Sequence, residues 1–90
     1  MTLEEQLTIK NKLGLHARAA IKLVELAARY NAEVMIITEE KQASAASVLG
    51  LLLLERAQGQ QITVRCEGPD AKPALRAVKA LVEARFDEQE

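Results

Sequence analysis

The sequence predicts one α+β domain over residues 1–90, a four-stranded antiparallel sheet with three helices packed on one face. Three observations predict it. Ninety residues are room for one hydrophobic core and not two, since only about 60% of the unfolded surface is buried at this size. Apolar residues alternate with a period of two in some stretches and recur at three-and-four spacing in others, so strands and helices are mixed along the chain. Turn-forming clusters fall at short intervals, at Asn11 to Gly14, Asn31, Glu39 to Lys41, Gln58 to Gln60 and Gly68 to Asp70. These read as connections within a domain rather than linkers.

From Leu3 to Lys10, Leu7 and Ile9 alternate with Thr8 and Lys10, the pattern of a strand buried on one face. From Ala17 to Arg29 the period changes. Ala20, Leu23, Val24 and Ala27 form a helical stripe with Lys22, Glu25 and Arg29 off it, as an amphipathic helix requires. Ala32 to Thr38 is β-rich, with Val34 and Ile36 on the inner face, and Lys41 to Ala45 is its partner strand across a turn. Ser47 precedes the apolar run Val48 to Leu54, read as a short helix capped by the Ser47 hydroxyl because leucine lacks the β-branching of strand residues. A buried strand is the alternative there. Gln60 to Glu67 alternates through Ile62, Val64 and Cys66, and Ala71 to Phe86 carries a stripe of Leu75, Val78, Leu81 and Val82. Asp70 is the expected cap of this last helix, and Pro73 is tolerable in a first turn whose amides lack helical partners.

Composition excludes several function classes. With 49% hydrophobic and 28% charged residues, interspersed rather than in blocks, the chain is not a disordered tail. The one cysteine, Cys66, cannot close an internal disulfide and reads as a small core residue. No Cys/His cluster has metal-ligand spacing, so neither a metal nor another cofactor is expected. Two glutamates stand where a signal peptide would place basic residues, and the apolar run near Leu51 is far below spanning length, so a cytoplasmic, non-membrane protein is expected. A net charge of -1 with Tyr30 and Phe86 as the only aromatics offers nucleic acid neither a basic field nor a stacking platform.

The chemistry concentrates at the junction of loop and helix in Asn11-Lys12-Leu13-Gly14-Leu15-His16-Ala17-Arg18, which holds the one histidine. The first amides of the helix have no intrahelical acceptor, and the helix start carries roughly half a positive charge. Arg18 adds a permanent one. Both oppose a protonated ring, which leaves a neutral nitrogen free as a nucleophile, and both favour an anion bound afterwards. A guanidinium about 4 Å from a phosphoryl group is worth roughly 4 kcal/mol at an effective dielectric of 20, before discount for solvent. The helix start adds about 0.3 to 1 kcal/mol. Arg18 is therefore expected to supply most of the electrostatics, and the amides of Ala17 and Arg18 the geometry. Gly14 allows a tight turn and keeps side-chain bulk away from an incoming donor. Position alone also suits an exposed histidine and a solvated arginine with no further role.

Leu13-Gly14-Leu15-His16-Ala17-Arg18 resembles the active-site motif of the HPr family, the histidine phosphocarriers of the bacterial phosphotransferase system. Ala45-Ala46-Ser47-Val48-Leu49-Gly50-Leu51 resembles the family's second signature, around a regulatory serine. Gln58-Gly59-Gln60-Gln61-Ile62-Thr63-Val64 with Glu67-Gly68 resembles its last-strand region. The likeness spans nearly the whole chain. It implies an open-faced βαββαβα sandwich, phosphorylation of His16 on Nδ1 by enzyme I, and transfer to an enzyme IIA, with Arg18 steadying the phosphoryl group. Such a protein is a covalent carrier, and a monomer is expected, rather than a stand-alone enzyme.

Two positions depart from the family pattern. Ala19 stands where the family usually has proline, at some cost in rigidity of the first turn, and Leu13 stands where many sugar-transport carriers have a polar side chain. The Asn11 to Gly14 run and the apolar second helix look more like the nitrogen-related branch. Ser47 is a preferred helix cap whatever else it does; the resemblance adds modification by a serine kinase/phosphorylase, which would place charge among Val48, Leu49 and Leu52. If Leu51 and Leu54 face the core, then Val48, Leu49 and Leu52 face outward. With Ile21 they form the expected partner interface, rimmed by Arg18 and Lys22. The competing reading is a regulatory protein-binding module whose contacts are switched by phosphorylation at His16 or Ser47. Asp87-Glu88-Gln89-Glu90 is expected to be a frayed, solvated tail.

Overall fold

Residues 1–89 are described by a computed structural model. Alternation produces four strands, β1 (Thr2–Thr8), β2 (Glu33–Ile37), β3 (Gln42–Ser44) and β4 (Gln61–Glu67). They pair antiparallel in the order β1-β4-β2-β3. The register sets Leu7 opposite Ile62, Ile36 opposite Val64 and Val34 opposite Cys66. One face of the sheet is therefore apolar, and a slip of one residue would turn it to solvent. All six of these side chains are buried, as is Ile9 just beyond β1. Glu4 and Arg65 pair across the opposite face, with Arg65 Nε 2.8 Å from Glu4 Oε2.

Three helices cover the inner face: α1 (Ala17–Ala27), α2 (Val48–Leu52) and α3 (Ala71–Glu83). Helix α1 buries Ala19, Ala20, Leu23 and Ala27, and α3 buries Ala71, Ala74, Val78 and Val82. The stripes are where the spacing predicts them, except that Val24, Leu75 and Leu81 lie at the core margin and alanines take the deepest places. Small residues let two helices approach a narrow sheet closely. Ala19, fully buried, has a packing role that the comparison with proline does not suggest. Helix α2 is a single turn and a half, capped by Ser47, whose Oγ accepts from Gly50 N at 2.9 Å. Its leucine run is helical, and the strand alternative falls away.

Four expectations are corrected. Asp70 occupies the N-cap position of α3 but does not cap it; its Oδ2 accepts instead from Asn31 N at 2.7 Å and ties two loops together. Val48 and Leu52 are half-buried against the core rather than outward, while Leu53, not singled out beforehand, is exposed. A five-residue helix on a curved sheet has too little length to hold one clean outer face. Helix α3 ends at Glu83, not at Phe86, because Arg85, Phe86 and Asp87 take φ values of 58°, 51° and 64°. Finally, Asp87 and Glu88 are not a frayed tail. This 3-10 turn (Arg85–Asp87) folds the chain back onto the start of α1.

Candidate functional site

The loop between β1 and α1 is fixed at both ends before it presents any chemistry. Ile9 N donates to Gln60 O at 2.9 Å and Gly59 N to Ile9 O at 2.8 Å, which extends the sheet contact past β1. Asn11 is completely buried, and its Nδ2 donates to Gly14 O at 2.7 Å, closing the turn from inside. Gly14 has φ +68°, and a Cβ there would lie 2.4 Å from Arg56 O and 2.9 Å from Ala57 Cα. The glycine is thus required by the neighbouring loop; the bulk it avoids would strike Arg56 and not a donor protein. Leu15 N donates to Arg56 O at 3.0 Å, and the Leu15 side chain is buried. The next residue, His16, is held between that anchor and α1.

His16 is the N-cap residue of α1 with extended backbone, and its ring makes no capping hydrogen bond. Its carbonyl accepts from Ala20 N at 2.9 Å, so the amides of Ala17, Arg18 and Ala19 precede the first helical bond and keep their donors for another acceptor. The imidazole is a quarter exposed. It lies in an open depression lined also by Lys12, Leu13, Ala17, Arg18 and Glu88. The predicted pair His16 and Arg18 therefore line one depression, with the helix start at its floor.

Sequence reasoning missed two residues of this site. The Glu88 carboxylate hydrogen-bonds His16 Nε2 through Oε2, and its Oε1 accepts from Asn11 Nδ2 at 3.2 Å. Burial pushes the Glu88 carboxyl up, but the hydrogen bonds from His16 and Asn11 and the positive charge of Arg18 outweigh it and hold it below the usual carboxylate range. An ionised carboxylate only accepts, so Nε2 carries a proton, and in the neutral ring the free lone pair is then the one on Nδ1. The surroundings of His16 are thus not purely cationic, as the local sequence suggests. His16 and Glu88 are 72 residues apart in sequence, and no periodicity links them. Phe86, four residues after Val82 on the buried stripe, is the one signal that the chain beyond α3 docks.

The segment that carries Glu88 is held by several contacts acting together. Three consecutive left-handed residues cost roughly 1 to 2 kcal/mol each, about 3 to 6 in all. Burying the Phe86 ring completely returns about 1.5 to 3 kcal/mol, which is not enough alone. A charge-assisted hydrogen bond supplies about 1.5 to 3 kcal/mol, less where part-exposed; the Glu88 contacts, and Asp87 Oδ2 3.2 Å from Lys22 Nζ, make up the rest. The turn and the contact on His16 therefore stand or fall together.

Among the expected interface residues, Ile21 is 46% and Leu49 67% exposed, and Leu13 and Leu53 add further exposed apolar surface. Val48 and Leu52 contribute their edges. Cys66 is buried, and burial raises its thiol. No cluster of three or more possible metal ligands occurs among the described residues, and no helix there is long and apolar enough to cross a membrane.

Comparison with known proteins shows the family and the fold. A family model described as the PTS HPr component phosphorylation site matches residues 3–84. The phosphocarrier protein NPr of Shewanella violacea is 60% identical over 86 residues, covering 96% of this chain and 94% of the relative. That of Escherichia coli K12 is 47% identical over 89 residues, covering 98% and 99%. Among solved structures, HPr-C-His from Thermoanaerobacter tengcongensis superposes with a TM-score of 0.92 at 33% identity, covering 98% of this chain and 99% of that one.

Proposed function

The chain belongs to the PTS-HPr family, and from that premise we propose that it accepts a phosphoryl group on His16 Nδ1 from enzyme I and passes it to a histidine of an enzyme IIA. That it is a phosphocarrier of the phosphotransferase system, interacting with enzymes of that system, follows from membership and from the NPr and HPr relatives. The observation that supports the acceptor assignment is the state of the ring. His16 has its Nε2 engaged by Glu88 and its remaining nitrogen free at the start of a helix.

The chemistry needs little more than this arrangement. The Nδ1 lone pair attacks phosphorus in line while the donor's nitrogen leaves, so the protein contributes position and charge rather than bond-making groups. The phosphoryl oxygens then meet the unpaired amides of Ala17 and Arg18 and the Arg18 guanidinium, donors in place before the charge arrives. Arg18 is exposed, which suits a side chain that must release its anion to an acceptor.

Donor and acceptor would share one surface around this depression, with Ile21 and Leu49 as its apolar centre, the edges of Val48 and Leu52 beside them, and Arg18 and Lys22 on its rim. Replacing Leu49, two-thirds exposed, by aspartate should slow transfer without unfolding the protein; full activity would remove it from the interface. Ser47 is exposed and open to a serine kinase/phosphorylase, although its hydroxyl already caps α2. Phosphorylation there would put charge beside Leu49 and weaken docking, and unchanged enzyme I affinity of Ser47→Asp would remove that role. The protein is read as one cytoplasmic phosphocarrier domain, monomeric and without cofactor.

Incubation with phosphoenolpyruvate and an enzyme I, followed by intact mass, tests the carrier reading. One acid-labile phosphoryl group is expected, absent from His16→Ala. No gain with enzyme I of either branch would move the reading to a regulatory binding module.

A further inference from the structure

The turn after α3 sets a carboxylate against the ring of His16. Phe86 is fully buried, and Asp87 reaches Lys22 on α1. Between these fixed points and the ring stands Glu88, with one carboxylate oxygen on His16 Nε2 and the other on the buried Asn11 Nδ2. Asn11 is itself tied to Gly14 O at 2.7 Å, so the carboxylate is braced from the interior by the same loop that presents the histidine. The geometry points to Glu88 as a positioning residue that keeps the proton on His16 Nε2 throughout phosphoryl transfer, with Asn11 as its brace. The inference rests on the proposal that His16 is the phosphoryl acceptor.

The value of that proton lies in the charge of the ring before and after transfer. In the free protein Nε2–H donates to the carboxylate, and the Nδ1 lone pair is the only one left to attack. When Nδ1 forms its bond to phosphorus, the bond to the donor histidine breaks and the donor nitrogen keeps that electron pair. The ring of His16, now carrying three bonds at Nδ1 and a proton at Nε2, becomes cationic, and Glu88 lies against the positive charge. In the onward step the Nδ1–P bond breaks, its electron pair returns to Nδ1, and the ring departs as neutral imidazole. Had Nε2 lost its proton in between, the leaving group would be an imidazolate, far more basic and far slower to leave. Serine hydrolases use a carboxylate on the remote nitrogen of their histidine in the same sense, to fix the tautomer and stabilise the cation. Against the opposing effect of burial, the hydrogen bonds from His16 and Asn11 and the nearby Arg18 charge favour the ionised form of Glu88, so the acceptor for Nε2–H is ready at neutral pH.

The test compares the full chain with Glu88→Ala and Glu88→Gln, reading the ring and the rate separately. Long-range proton–nitrogen correlation of the His16 ring reports which nitrogen holds the proton. The expected spectrum is predominantly Nε2–H in the parent, a mixture of tautomers in Glu88→Ala, and retention of Nε2–H in Glu88→Gln, whose amide oxygen still accepts. Single-turnover transfer from the phosphorylated protein to an enzyme IIA is expected to slow roughly tenfold in Glu88→Ala, below the about 10²- to 10⁴-fold effects of fully enclosed catalytic histidines and their carboxylates because this pair is part-exposed. Glu88→Gln should fall between the two. A Glu88→Ala protein with the parent's tautomer and the parent's rate overturns the inference. A parent protein that forms no phosphohistidine refutes instead the carrier reading beneath it, so the two failures are distinct.

Discussion

Gly14→Ala should destabilise the protein by about 2 to 3 kcal/mol and disorganise the loop that presents His16. Two contributions make up this figure. An alanine held at φ +68° costs roughly 1 to 2 kcal/mol through its Cβ. Its methyl would also stand 2.4 Å from Arg56 O, a backbone atom that cannot move without loosening the 3.0 Å bond from Leu15 N, worth about 1 kcal/mol. Thermal unfolding followed by circular dichroism should show a fall in Tm on the order of 10 to 25 °C for a domain of this size. The fold should survive, since about 5 to 15 kcal/mol is the usual stability. Gly59→Ala is the internal control: Gly59 has φ +88° but nothing within 4 Å of a Cβ. It should lose only the conformational part, about 1 to 2 kcal/mol. Equal losses in the two variants, or a Gly14→Ala protein within about 2 °C of the parent, would refute the claim that the 56–57 backbone dictates this glycine.

Other consequences are open to measurement. Ser47→Ala strands the Gly50 amide that the hydroxyl now satisfies, and should lower stability by about 1 kcal/mol, visible as a shift of several degrees in Tm. Cys66 should be alkylated in the native protein at least ~10³-fold more slowly than in denaturant, because it reacts only through unfolding. Since burial raises this thiol above 9.0, the unfolded chain ionises first as pH climbs past that value, and stability should decline there. For Glu88 the sign is opposite. Its carboxyl is held below the ordinary 4.5, so its contribution is complete above that value and is lost as pH falls through the folded-state value. The difference in Tm between the parent and Glu88→Gln should therefore shrink in acid and hold steady above about pH 5.5.

Local patterns carry most of this architecture, and they do so where each element has one buried face. The alternation of Ile62, Val64 and Cys66 identifies β4 and its inner side, and the same holds for Val34 and Ile36. Ser47 announces α2 because a hydroxyl before an apolar run has one common use at that place. His16 and Arg18 are legible for a related reason: the helix start, the turn glycine and both side chains lie within a few residues. What escapes is contact between distant segments. Asp70 looks like a cap and instead binds Asn31, since local sequence does not say which loop will arrive beside it. Glu88 looks like one more acid in a solvated run. Its place is set by Phe86, whose insertion into the core reverses the chain against its own backbone preference.

Nδ1 of His16 is expected to take the phosphoryl group, and the start of α1 to receive it. Nitrogen and phosphorus NMR of the protein phosphorylated by phosphoenolpyruvate and enzyme I decides it. The predicted result is phosphorus coupled to Nδ1 of His16, Nε2 still protonated, and downfield shifts of the Ala17 and Arg18 amide protons. Phosphorus on Nε2, or on any other residue, would contradict it.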